Sequence, residues 1–341
     1  MRAAVFQEPS RLLSIETVPD PICGPHDLVL KVINCGICGS DLHMTESTSA
    51  MPLPAGSVMG HEFAGEILEV GKAVTHQWKP GERVAGFPVI CCGDHSPCIN
   101  FGLRGTCMKG LSVGLGQSPG AYAEYVRIGA GSAHRLPANV NFREGAMVEP
   151  LAVGLHAVDM AKMPRGATVL VIGAGPVGLA TMLWAKFLGA RHVIVSEKAE
   201  VRKKMAAKFG ATDAIDPSQP LTAQVEKIAG HPPDVIFECV GVPGLIGQTM
   251  MEAPRGCRIV VAGVCQQPDT ILPLMGIIKE LELQFVLGYR PADFDYVIAM
   301  IASDRVEVAQ MVTDIVDLDG LPAAFEALRK PSHQCKVLLE N

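Results

Sequence analysis

The sequence has no run of basic residues, no clustering of basic with aromatic side chains, and no apolar stretch matching the ~18 uninterrupted residues that a membrane-spanning helix requires. The longest apolar candidate, VIGAGPVGLATMLWA, is broken by glycine and proline. Neither nucleic acid nor a membrane is therefore an expected partner. The opening stretch, MRAAVFQEPSRLLSIE, carries charges where an export signal would carry an apolar core of ~7–15 residues, so a cytoplasmic location is expected. Internal repeats and low-complexity tails are also missing. The 11 cysteines are an odd number and, without an export signal, read as buried thiols and metal ligands rather than a disulfide framework.

What is present is a chain of 341 residues, 48% hydrophobic, with a formal net charge of -6 spread along its length, enough to build two buried cores. Up to about residue 150 it is rich in short β-like runs, AAVF, LVLKVI, AGEILEV and AYAEYVRI, punctuated by Gly, Pro and Asp turns. This half reads as a β-rich, partly barrel-like domain. After Pro164 the texture changes to alternating strand and helix: TVLVIG, a helix from Pro176 to Leu188, HVIVSE, a helix to Phe209, then DAID, DVIFECVG, CRIVVAG and LQFVLG. That order implies parallel βαβ units and a doubly wound α/β sheet. Two helix-like stretches, FDYVIAMIAS and LPAAFEALRK, and a last strand, CKVLLE, follow; composition alone does not say which half they join.

Gly173, Gly175 and Gly178 form a GxGxxG pattern that directly follows the strand TVLVI and, from Pro176 and Val177, opens a helix. The glycines permit a tight turn and close backbone approach, and the helix N-terminus offers unpaired N–H groups to a pyrophosphate. Glu197 ends the second strand, 19 residues after Gly178, where a carboxylate can accept both ribose hydroxyls of an adenosine and repel a 2'-phosphate. This favours NAD over NADP, with Lys198 and Arg202 close by as positive charge that softens the choice.

In the first half, Cys38 within CGICGSDLH and His61 within GHEFAGE are good zinc ligands. Cys35-Gly36-Ile37-Cys38-Gly39-Ser40-Asp41-Leu42-His43, Gly60-His61-Glu62-Phe63-Ala64-Gly65, Val148-Glu149-Pro150-Leu151 and the glycine loop at 173–178 together span the chain. On these motifs the sequence resembles the zinc-containing medium-chain dehydrogenase/reductase family, the branch with alcohol, sorbitol and threonine dehydrogenases. The resemblance implies a Rossmann NAD-binding domain at 153–289 and a GroES-like, partly barrel-like catalytic domain built from 1–152 and 290–341.

It further implies a catalytic zinc on Cys38 and His61 with an acidic ligand, Glu62 or Glu149, the two being able to exchange. Glu149 stands where liver-type alcohol dehydrogenases have a second cysteine, nearer the sorbitol dehydrogenase pattern. Asp41 resembles the carboxylate that orients the zinc histidine through its other ring nitrogen. Ser40 and His43 resemble a proton relay from the substrate hydroxyl to the surface. Pro176, Val177, Cys239, Gly241, Gly263 and Lys336 are further cofactor contacts implied by the resemblance alone. The partners expected are a small-molecule alcohol or ketone and copies of the same chain, as a dimer or tetramer.

Many relatives carry four cysteines for a structural zinc where this chain has Cys92, His95, Cys98 and Cys107, spaced by gaps of two, two and eight residues. Cys₃His is a legitimate tetrahedral zinc set, the alternative being free or adventitiously paired thiols. The expected reaction is oxidation of a secondary alcohol or polyol to the ketone with NAD. Its rivals are an NADPH-dependent aldehyde or ketone reductase and a non-catalytic NAD-binding structural or sensor relative. Met44, Phe87, Phe101 and Tyr289 are candidates for the substrate pocket, whose identity the sequence leaves open.

Overall fold

A computed structural model describes residues 1–90, 110–330 and 333–341. Cys92, His95, Cys98, Cys107 and Phe101 lie outside the described residues. The chain divides into two compact units, one of Met1–Glu149 with Tyr289–Asn341, the other of Pro150–Gly288. No described helix is long and apolar enough to cross a membrane.

In the first unit the strands are β1 (Arg2–Phe6), β2 (Ser14–Thr17), β3 (Asp27–Gly36), β4 (Ser57–Val58), β5 (Glu62–Val70), β6 (Arg83–Gly86), β7 (Val89–Ile90), β8 (Leu111–Ser112), β9 (Tyr125–Gly129) and β10 (Ala133–Arg135). A short helix α1 (Gly39–Met44) follows β3, and α2 (Phe142–Ala146) and α3 (Val148–Ala161) close the first chain segment. The main sheet runs β10-β6-β5-β3 and continues into the C-terminal strands, with β9 also paired to β3. The alternating pattern of β3, DLVLKVINCG, sends Leu28, Leu30 and Val32 into a core shared with Phe63, Ile67, Tyr122, Phe325 and Val337.

The stretch AYAEYVRI is shorter as a strand than the sequence suggests. Gly120, Ala121 and Tyr122 donate their N–H groups to the carbonyls of Val58, Gly60 and Met59, each at 2.8 Å. Those bonds hold residues 120–122 against the turn before His61 instead of extending β9.

The second unit contains β11 (Thr168–Ile172), α4 (Pro176–Phe187), β12 (His192–Ser196), α5 (Glu200–Lys208), β13 (Asp213–Ile215), α6 (Leu221–Ala229), β14 (Val235–Glu238), α7 (Leu245–Glu252), β15 (Arg258–Val261), α8 (Pro273–Lys279) and β16 (Glu282–Phe285). All six strands are parallel, in the order β13-β12-β11-β14-β15-β16. The order reverses between β11 and β14, the arrangement in which dinucleotides bind outside the strand C-termini. TVLVI is buried at every position, the signature of a strand covered on both faces.

The chain then returns to the first unit through α9 (Pro291–Ala302), β17 (Val312–Val316), α10 (Leu321–Ala327) and β18 (Lys336–Glu340). The last strand lies antiparallel to β3, with Leu338 opposite Gly36 and Leu339 opposite Cys35. Lys336 is thereby brought beside the residues that follow β3.

Candidate active site

Cys38 and His61 are distant in sequence, and the β3–β5 pairing brings them together. Gly36, the last residue of β3, lies opposite Glu62, the first of β5. Cys38 follows Gly36 by two residues and His61 immediately precedes Glu62. A Cβ at position 36 would sit 2.1 Å from Glu62 Oε2, so glycine there is what lets the glutamate lie across the backbone.

The donor atoms of Cys38, His61 and Glu62 all lie within 4.8 Å of one another, the one such His/Cys/carboxylate group among the described residues. His61 and Glu62 are buried and Cys38 is partly so. Asp41, fully buried in α1, organises the group. Its Oδ1 lies 3.2 Å from His61 Nδ1, and its Oδ2 accepts the Cys38 N–H at 3.1 Å and the Tyr122 hydroxyl at 2.6 Å. A carboxylate only accepts, so Nδ1 carries a proton, and Nε2 is the ring nitrogen whose lone pair is open to a metal once the imidazole is neutral. Ser40 Oγ donates to Cys38 Sγ at 3.1 Å and lies 3.4 Å from His61 Nε2. Burial opposes a charge on His61, but the Asp41 carboxylate and the adjacent Cys38 outweigh it and raise the imidazole well above its ordinary range.

Glu62 has a partner that sequence reasoning did not anticipate. Lys336 Nζ donates to Glu62 Oε1 and Oε2 at 2.7 and 2.6 Å and to the Ile37 carbonyl at 3.0 Å, with both side chains 1% exposed. Burial works against the ammonium, and the facing Glu62 carboxylate more than restores it, so its pKa is raised. Lys336 was expected at the cofactor; two of its hydrogen bonds go to the Glu62 carboxylate and the third to the Ile37 carbonyl. No local signal in KVLLE reveals this, because the partners are 274 residues apart.

Glu149, in the first turn of α3, stands outside the compact three-residue group but within reach of its charges. Burial raises its carboxyl to about 7, countered in part by His61 and reinforced by Glu62. The Tyr289 hydroxyl donates to Glu149 Oε1 at 2.7 Å. His43 is half-exposed at the end of α1, with Nδ1 3.3 Å from Glu46 Oε1. Met44, Phe87 and Tyr289, the described candidates for the pocket, are 6%, 2% and 7% exposed.

In the second unit Gly175 caps α4 and Pro176 occupies its first turn, ahead of Val177. A Cβ on Gly178 would meet the Gly173 carbonyl oxygen at 2.0 Å, so this glycine is required for the helix to pack against its own loop. Glu197 Oε2 accepts the Ala174 N–H at 3.0 Å, and Oε1 accepts those of Lys198 and Ala199 at 2.8 and 2.9 Å. The carboxylate is thus fastened to the glycine loop, and Arg202 follows in the first turn of α5.

Sequence reasoning also missed Glu238, buried at the end of β14. Its Oε1 accepts the N–H groups of Val240 and Gly241 at 2.6 and 2.8 Å, and its backbone carbonyl accepts those of Ala262 and Gly263 at 2.9 and 2.8 Å. One residue thereby shapes both loops that carry Cys239, Gly241 and Gly263. An acid closing the apolar run DVIFE was the available signal.

Residues 24–138 match the alcohol dehydrogenase GroES-like domain and residues 176–303 the zinc-binding dehydrogenase domain. Human sorbitol dehydrogenase is 33% identical over 327 residues, covering 93% of this chain and 90% of the relative. A zinc-binding dehydrogenase of Sinorhizobium meliloti 1021, solved bound to NADP, is 30% identical with a TM-score of 0.88, covering 100% of this chain and 99% of that one. An Escherichia coli CFT073 alcohol dehydrogenase complexed with NADH is 28% identical with a TM-score of 0.90 over the same shares.

Proposed function

Since this chain belongs to the zinc-containing medium-chain dehydrogenase/reductase family and is an oxidoreductase acting on CH–OH groups, we propose that it oxidises a secondary alcohol or polyol to the ketone with NAD, using a zinc ion held by Cys38, His61 and an acidic residue. The observation that carries this reading is the donor chemistry around His61. A thiol, an imidazole whose Nδ1 proton is taken by the buried Asp41, and a carboxylate gather within 4.8 Å, a set that suits Zn²⁺. When bound there, Zn²⁺ acts as a Lewis acid that lowers the pKa of a hydroxyl it touches.

The chain's own residues supply the rest. Asp41 keeps the proton on Nδ1 and turns Nε2 toward Cys38, while Tyr122 holds Asp41 from behind. Lys336 donates to both oxygens of Glu62, and Glu62 and Glu149 are the alternative acidic ligands. Ser40 Oγ, beside both Cys38 and His61, takes the proton of the substrate hydroxyl, and half-exposed His43 passes it to solvent. The fastened Glu197 accepts from the adenosine ribose through Oε2, because two N–H bonds occupy Oε1 and the one N–H bond on Oε2 leaves that oxygen a lone pair.

NADH formation on a panel of secondary alcohols, polyols and cyclic alcohols, repeated with NADP and after chelation of zinc, tests the reading. Turnover with NAD on at least one class, lost on chelation and regained with Zn²⁺, is expected. A zinc-loaded chain inert to the whole panel, or active mainly as an NADPH-dependent reductase, would refute it. Glu197→Ser is expected to lower kcat/KM for NAD by about ten- to hundredfold, the worth of a charged hydrogen-bond acceptor of ~1.5–3 kcal/mol, and to raise that for NADP. Unchanged cofactor preference in steady-state kinetics would remove Glu197 from the ribose.

A further inference from the structure

Glu149 and Tyr289 meet at a distinctive point of the chain. Glu149 is the last residue before the second unit and Tyr289 the first after it, so their 2.7 Å hydrogen bond joins the two ends of that insertion. The tyrosine ring has little freedom. It stands edge-on to Phe87 at 5.2 Å and 84°, and packs on Phe294 at 4.9 Å and 52°. Those two phenylalanines pack on each other at 5.0 Å, and Phe294 is backed by His134 at 5.1 Å, whose Nδ1 is 2.7 Å from Asp295 Oδ1. With the ring wedged in this block, the hydroxyl is delivered to one place.

The two glutamates near the metal-donor group are held differently. Lys336 takes both oxygens of Glu62 with a full positive charge. Tyr289 takes only Oε1 of Glu149, with a neutral donor, and among the described residues nothing donates to Oε2. A hydroxyl that occupies one oxygen fixes the carboxylate's orientation without neutralising it. Resting on the metal site proposed above, we propose that Tyr289 is a positioning residue of that site, orienting Glu149 so that Oε2 is the oxygen offered to the metal.

The test is Tyr289→Phe, which keeps the ring and removes only the donor, compared with Glu149→Gln and the double variant. Zinc affinity of the full chain, read by chelator competition, is expected to fall about 10–100-fold in Tyr289→Phe, the usual loss for a residue that supports a metal ligand. The visible bands of the Co²⁺-substituted protein should shift in the same variant. In the Glu149→Gln background the tyrosine change should add little, because it acts through Glu149. Wild-type affinity and Co²⁺ spectrum in Tyr289→Phe, or additive losses in the double variant, would overturn the assignment while leaving the metal site standing. A parent chain that binds no zinc would overturn both.

Discussion

Ser40→Ala is expected to lower kcat by about two to four orders of magnitude, the range spanned by removal of a positioned proton-transfer group, while zinc content stays at that of the parent. The serine hydroxyl donates to Cys38 Sγ at 3.1 Å and lies 3.4 Å from His61 Nε2, so it sits against two candidate ligands without offering the stronger donor chemistry of either. On the proposed relay its loss removes a proton acceptor at the reacting hydroxyl and leaves the thiol, imidazole and carboxylate in place. His43→Ala should slow turnover less and be partly rescued by buffer bases, since this residue is half-exposed and solvent can stand in for it. Turnover kinetics with metal analysis on the same preparations decide the matter. Near-normal kcat in Ser40→Ala would exclude the serine from the relay, and loss of zinc would recast it as support for Cys38.

Lys336→Met is expected to destabilise the metal-free protein by about 3–5 kcal/mol, the cost of leaving one partner of a buried ion pair uncompensated. Lys336 and Glu62 are both 1% exposed, and the ammonium makes all three of its hydrogen bonds within this pocket of the first unit. Methionine fills much of the same volume, so packing loss contributes little. The double variant Lys336→Met with Glu62→Gln should recover a substantial part of the loss, because no unpaired charge then remains. Denaturant midpoints of the parent, both single variants and the double variant provide the measurement. A single-variant cost below about 1 kcal/mol, the scale of an exposed pair, would mean that water reaches Glu62 once the lysine is gone.

Both pairs were invisible in the sequence for the same reason. Lys336 lies in an ordinary β-like ending, KVLLE, and reaches Glu62 only because β18 is laid antiparallel to β3. Tyr289 follows the second unit's last strand and reaches Glu149 across 140 residues. Tyr122, which holds Asp41, is set in place by three backbone bonds to the turn before His61 rather than by the strand that its neighbours suggest. Each depends on which strand ends are brought together, and strand periodicity carries no information about that.

Local chemistry, by contrast, is written where it acts. The alternation of VLV-type runs with helices determined the parallel sheet, because a strand covered on both faces must be apolar throughout and a parallel neighbour needs a crossover. The spacing of Gly173, Gly175 and Gly178 determined the loop, since a side chain at 178 has no room. Cys38, Asp41, His61 and Glu62 each announced themselves within short motifs. What only the tertiary structure decided is how the acids are held. Glu62 is bonded by a lysine and Glu149 by a tyrosine, and a buried carboxylate takes its properties from the donor that faces it rather than from its neighbours along the chain.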